Sequence, residues 1–159
     1  MAEAVPATRS RAAGVPGWVP GVTLALSVVG LGISVYLTYE HFTGSTSLSC
    51  PDTGVVNCLK VTTSAQSKVF GIPVAVLGLV FFVAMIPLCL PAAWRDPRPL
   101  VGRARLLATA VGVVFVLYLL YAELFEIGNI CLWCTAVHVI TFILFGIVVF
   151  VSALAEPAD

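Results

Sequence analysis

Four apolar runs, each roughly 20 residues or longer, restrict this chain to one kind of environment, because about 20 helical residues span a hydrocarbon core of about 30 Å. They cover Val19 to Phe42, Val69 to Leu90, Leu106 to Phe125 and Cys131 to Leu154. The composition agrees: 60% of the residues are hydrophobic and 10% charged, outside the range of a soluble domain. The sequence therefore predicts an all-α integral membrane protein. The expected architecture is a four-transmembrane-helix bundle with helices at about 19–42, 69–90, 106–125 and 131–154. An outward loop, 43–68, would cap the bundle through a short helix around Cys58 to Ser67, and residues 1–18 and 155–159 would form tails. The first run is too long for a signal-peptide core, and no A-x-A-like cleavage site follows it, so it is expected to stay as the first helix. Small residues, Gly30, Gly32, Ser34, Gly78 and Gly112, would let the helices approach closely in lipid.

Charge supplies the orientation. Eight basic residues balance eight acidic ones, so nothing points to nucleic acid. Arg9, Arg11, Arg95, Arg98, Arg103 and Arg105 fall on one side of the predicted spans, against Lys60 and Lys68 on the other. Positively charged loops stay inside, which places both termini in the cytoplasm. The arginine bias, with abundant Ala, Val and Gly, fits a GC-rich bacterial genome. The expected location is a bacterial cytoplasmic membrane, with loop 43–68 and the short turn Glu126 to Ile130 facing the periplasm or exterior. That side permits disulfides.

Four of the five cysteines lie on that outward side. Cys131-Leu132-Trp133-Cys134 opens the last apolar run, with the sulfurs at i and i+3 on one face of a first helical turn. There the helix dipole and free N–H groups lower a thiol pKa, and Asn129 is placed to cap the turn. Thiolate is the attacking species in disulfide exchange, so the pair can act as nucleophile and resolving partner. Cys50 and Cys58, with seven residues between them in the loop, suit either a static staple or a shuttling disulfide. A closed zinc site made by all four cysteines is a further possibility, although structural sites favour C-x2–4-C spacing in both pairs. Cys89, alone near the far end of the second helix, reads as packing. His138, four residues beyond Cys134, shares its helix face, and an ionisable group within a span is costly enough to suggest a task. Glu123 and Glu126 are expected to be solvated.

The loop Cys-x7-Cys, the stretch Cys58-Leu59-Lys60-Val61-Thr62-Thr63-Ser64, the Phe70-Gly71-Ile72-Pro73 entry to the second helix and the CxxC opening the fourth together resemble the vitamin K epoxide reductase family. The likeness covers about Val19 to Leu154. Bacterial members are membrane quinone reductases that reoxidise a DsbA-like thioredoxin-fold protein, in some cases fused at the C-terminus. No such domain lies before Asp159, so the resemblance implies a separate partner. DsbB proteins share the function and the four helices, but their CxxC precedes the loop pair.

The resemblance implies a role for each matching residue. Cys50 would meet the partner, Cys58 would hand electrons to Cys131, and Cys134 would reduce a quinone, menaquinone or ubiquinone. Ser64 matches a serine beside the family's active site, and Ser67, Phe70, Trp133 and His138 become candidate quinone contacts. No metal is expected. Vertebrate members carry Asn and Tyr where Ser67 and His138 stand here, so the likeness does not bring vitamin K epoxide with it as substrate. The expected function is a membrane thiol:quinone oxidoreductase supporting disulfide formation in secreted proteins. The alternatives are an epoxide and quinone reductase of the vitamin K cycle, and a non-catalytic scaffold with a structural disulfide or zinc site.

Overall fold

The computed structural model describes residues 14–44, 49–51 and 53–155. Arg9, Arg11, most of the expected N-terminal tail, Asp52 of the expected loop turn and residues 156–159 lie outside the described residues. Four helices carry the apolar runs: α1 (Val19–Thr43), α3 (Val74–Cys89), α5 (Pro99–Tyr121) and α6 (Leu132–Ala155), with two short helices, α2 (Cys58–Thr63) and α4 (Pro91–Arg95), between them. The four long helices close a ring, in which α1 packs on α3 and α6, and α5 packs on α6 and α3. Val29, Val80, Val114 and Phe150 are each more than half exposed, a distribution suited to lipid rather than water around the bundle. The chain is a helical membrane protein. Among the described residues three segments are long and apolar enough to cross a bilayer, Val19–Thr43, Pro99–Ile127 and Leu132–Leu154, whereas α3 has 16 residues.

The second apolar run does not become helix along its whole expected length of 69–90. Lys68–Val69 and Ile72–Pro73 form a two-stranded antiparallel hairpin, β1 and β2. Phe70 and Gly71 make its turn at φ 52° and 80°, a left-handed conformation that glycine adopts freely and phenylalanine at a cost. Pro73 then stands at the N-cap of α3, where its missing N–H costs nothing. The third run departs in the other direction: α5 begins at Pro99, and beyond Tyr121 the chain continues in a π-helical turn, Ala122–Ile127. Gly128, at φ 67°, ends that turn, its N–H bonding the Glu123 carbonyl. The fourth run matches α6 to within a residue at each end.

The end of the bundle remote from the clustered cysteines is locked by side chains. Arg105, expected among the loop charges, lies inside α5 and is buried. Its Nε donates to Leu88 O at 2.8 Å and its Nη2 to Ala93 O at 3.1 Å, supplying carbonyls that the ends of α3 and α4 leave without helical partners. The guanidinium sits 3.4 Å over the Trp94 ring, and Trp94 Nε1 donates to Thr23 Oγ1 at 3.2 Å. Val19, Trp94, Val148 and Val151 pack around this lock. Midway along the bundle, Phe82 is fully buried against Ile140 and Leu144. Gly30 makes room for it, since a Cβ there would stand 2.3 Å from the Phe82 ring.

Candidate functional site: a cysteine cluster above an apolar cavity

The two cysteine segments are joined by backbone. Ile130 N–H donates to Val55 O at 2.9 Å and Asn57 N–H to Ile130 O at 3.1 Å, a parallel bridge centred on Val56 and Ile130. Cys131 follows Ile130 directly and Cys58 lies two residues beyond Val56, so the bridge brings the two cysteines into one cluster. Both are buried, in one cluster with Val61, and Cys50, Ile127, Trp133 and Cys134 pack against it. Cys50 and Cys58 form a disulfide, while Cys131 and Cys134 are free thiols. Among the described residues no group of three or more His, Cys, Asp or Glu side chains could hold a metal, and a disulfide-bonded loop pair offers no thiolate to zinc.

Asn129 does not cap α6 as expected. Its Nδ2 donates to Gly54 O at 2.7 Å and Val55 O at 3.2 Å, and its Oδ1 accepts from Lys60 Nζ, tying the loop and α2 to the turn before Cys131. The cap on α6 is Cys131 itself, whose Sγ accepts from the Cys134 N–H at 3.3 Å. Asn57 caps α2, its Oδ1 accepting from Lys60 N–H at 2.8 Å. A hydrogen bond from the Cys134 thiol, with further ones from the Cys134 and Trp133 N–H groups, holds the Cys131 thiol below its ordinary value of 9.0, against burial and the nearby Glu123 charge.

Beneath the cluster lies a cavity of about 320 Å³, within the size range of small-molecule sites. Its wall is mostly apolar, built from α1, α3, α5 and α6, with α2 and the following 3-10 turn (Ala65–Ser67) at its mouth. Cys134, His138, Ser64 and Ser67 line it; Phe70 and Trp133 do not. The hairpin turn leaves Phe70 fully exposed. Trp133 points away from the Cys134 face, its ring 5.2 Å from that of Tyr36 and its Nε1 donating to Ser49 O at 3.1 Å. Ser49 N–H in turn donates to Tyr36 Oη at 3.3 Å, so Trp133 and Tyr36 hold the residue before Cys50. Cys134 is half-buried and Cys131 fully buried. The Ser64 and Ser67 hydroxyls donate to Val61 O and Ser64 O, leaving their oxygens as acceptors toward the cavity. His138 is buried with Nδ1 unpartnered among the described residues.

Glu123 is the residue whose environment differs most from expectation. It is buried, lines the cavity and accepts a hydrogen bond from the Cys131 N–H, whereas Glu126 is exposed. The π-turn winds Ala122 and Glu123 inward and leaves Leu124 and Phe125 outward. A carboxylate eight residues before a CxxC, inside an apolar run, was the available sequence signal. The Asn129 clamp, by contrast, depends on pairing between distant segments.

One protein family matches most of this chain. The model of that family, described as Vitamin K epoxide reductase family, matches residues 22–149. The chain belongs to the vitamin K epoxide reductase family. The family is one of oxidoreductases that use quinone-type substrates and generally work with thioredoxin-like partners in membranes.

Proposed function

We propose that the protein is a thiol:quinone oxidoreductase of a bacterial cytoplasmic membrane. It would span that membrane four times, with both termini inside and the cysteine cluster outside. It oxidises a DsbA-like thioredoxin-fold partner and passes the electrons to menaquinone or ubiquinone, supporting disulfide formation in secreted proteins. One observation carries the reading: Cys58 and Cys131 are aligned by the Val56–Ile130 bridge while Cys134 opens onto the cavity. In orientation, the exposed Arg95, Arg98 and Arg103 at the opposite end outweigh Lys60 and Lys68 at the cysteine end.

The exchange runs in balanced steps. A partner thiolate attacks Cys50 and releases Cys58 as a thiolate. Cys58 attacks Cys131 in the Cys131–Cys134 disulfide and releases Cys134. When the partner's second cysteine has freed Cys50, Cys50 attacks Cys58 and releases Cys131, whose depressed pKa makes it a good leaving group. The resulting arrangement, Cys50–Cys58 oxidised and Cys131 and Cys134 reduced, is that of the structure. Re-forming the Cys131–Cys134 disulfide yields two electrons and two protons, which convert quinone to quinol. His138 Nδ1 is available to one ring oxygen, and the Ser64 and Ser67 oxygens can accept from a quinol hydroxyl.

The test is oxidation of a DsbA-like dithiol with added quinone. Cys131→Ala and Cys134→Ala should each abolish it, and turnover by either variant would defeat the proposal. Alkylation trapping should also recover a Cys58–Cys131 linkage from oxidised Cys50→Ala/Cys134→Ala protein, which a static scaffold would not form.

A further inference from the structure

Glu123 is the one carboxylate among the described residues lining the cavity. It is 4% exposed, and its charge reaches the thiols of both Cys131 and Cys134. Burying a carboxylate is costly, and a thiolate beside it adds like-charge repulsion. The site therefore favours a single negative charge shared by Glu123, Cys131 and Cys134. A thiol that becomes a thiolate relieves the repulsion by giving its proton to Glu123. The apolar walls offer few other groups to carry that proton toward a ring held in the cavity. Glu123 is also fixed in place, with the Gly128 and Asn129 N–H groups on its carbonyl and the Cys131 N–H on its carboxylate.

We propose that Glu123 is the proton carrier between the Cys131/Cys134 dithiol and the quinone, an inference that rests on the function proposed above. The dithiol loses two electrons and two protons as its S–S bond forms. The Glu123 carboxylate takes one thiol proton and delivers it to a ring oxygen of the reduced quinone, ending ionised as it began. The other thiol proton passes to the second oxygen, so atoms and electrons balance. A purely structural Glu123 would serve only as an acceptor for the Cys131 N–H, and glutamine can fill that role without carrying a proton.

The experiment is single-turnover reduction of a short-chain quinone by purified, fully reduced protein in lipid nanodiscs, followed by quinone absorbance. Glu123→Gln should slow this step by about 100-fold, the usual scale for a lost proton-transfer group. Glu123→Asp should restore most of the rate, and Cys58–Cys131 exchange, read by alkylation trapping, should not slow in Glu123→Gln, which removes a charge that opposes the Cys131 thiolate. Wild-type protein should also reduce quinone more slowly in D2O, a readout independent of whether either variant folds. A Glu123→Gln rate near wild type, or no slowing in D2O, overturns the assignment while leaving the proposed function standing. Wild-type protein that leaves the quinone oxidised overturns both.

Discussion

At the scale of single residues, the site separates groups that hold the cysteines from groups that face the cavity. His138 belongs to the second set. Its buried Nδ1, without a partner among the described residues, represents a desolvation cost of about 1–3 kcal/mol, which a quinone oxygen would recover. His138→Leu should therefore leave thermal stability unchanged or higher and weaken quinone binding by about tenfold, the worth of one hydrogen bond of about 1.4 kcal/mol. Unchanged quinone KM and turnover would remove His138 from the mechanism. Cys131 permits a pH test. The Cys134 thiol depresses the Cys131 pKa below 9.0, so the attacking thiolate persists to lower pH than for an ordinary cysteine. The rate of the reverse exchange, in which Cys131 attacks Cys58 of the loop disulfide, should level off at a pH below 9.0 and fall as pH drops through the depressed pKa. In Cys134→Ala the inflection should move upward. A wild-type inflection at or above 9.0 would contradict the hydrogen-bond account. That Cys134 and His138 share a face was legible in the sequence, because spacing along one helix fixes it, and both line the cavity. The side on which Trp133 and Phe70 lie was not, since one turns on a contact with Tyr36 and the other on a positive φ.

At the scale of elements, the short bridge and the close helix crossing are the two features on which positioning depends. Asn129 makes three hydrogen bonds across the loop, α2 and the turn before α6. Asn129→Ala should cost about 1–3 kcal/mol and slow Cys58–Cys131 exchange, as read by quenched alkylation, while leaving quinone binding intact. A variant destabilised with no loss of exchange rate would show that the backbone bridge alone aligns the sulfurs. In the α1–α3 crossing, a methyl group at residue 30 would meet the ring of Phe82, which is fully buried. Gly30→Ala should destabilise the bundle by about 1–3 kcal/mol through overpacking, and Phe82→Leu in the same chain should recover part of that loss. The sequence pointed to Gly30 as a small residue for close packing. It did not reveal which partner required the space, because that depends on the rotation of α3 about its own axis.

For the whole molecule, the two ends are held by different means. The cysteine end is joined by a disulfide, the Val56–Ile130 backbone bridge and the Asn129 side chain, all of which would have to tolerate the proposed exchange of covalent partners between Cys58 and Cys131. The opposite end is fixed by a buried cation: Arg105 serves α3 and α4 carbonyls and stacks on Trp94, which reaches Thr23 on α1. The apolar runs made the helices of this bundle legible, and the basic residues marked its two ends. Arg105 shows the limit, since a residue counted as loop charge is the internal lock. Replacing it separates the roles of the two ends. Arg105→Met keeps the length and apolar stem but removes two charge-assisted hydrogen bonds and the cation–π contact, at a cost of about 2–4 kcal/mol. Thermal unfolding in detergent should shift down accordingly. Per folded molecule, Cys58–Cys131 exchange and quinone reduction should stay at wild-type rates, because among the described residues the lock and the cysteine cluster share no hydrogen-bonded partner. If exchange slowed in step with the stability loss, the two ends would be mechanically coupled through α5 and α6, and the outer site would depend on the rigidity of the far end.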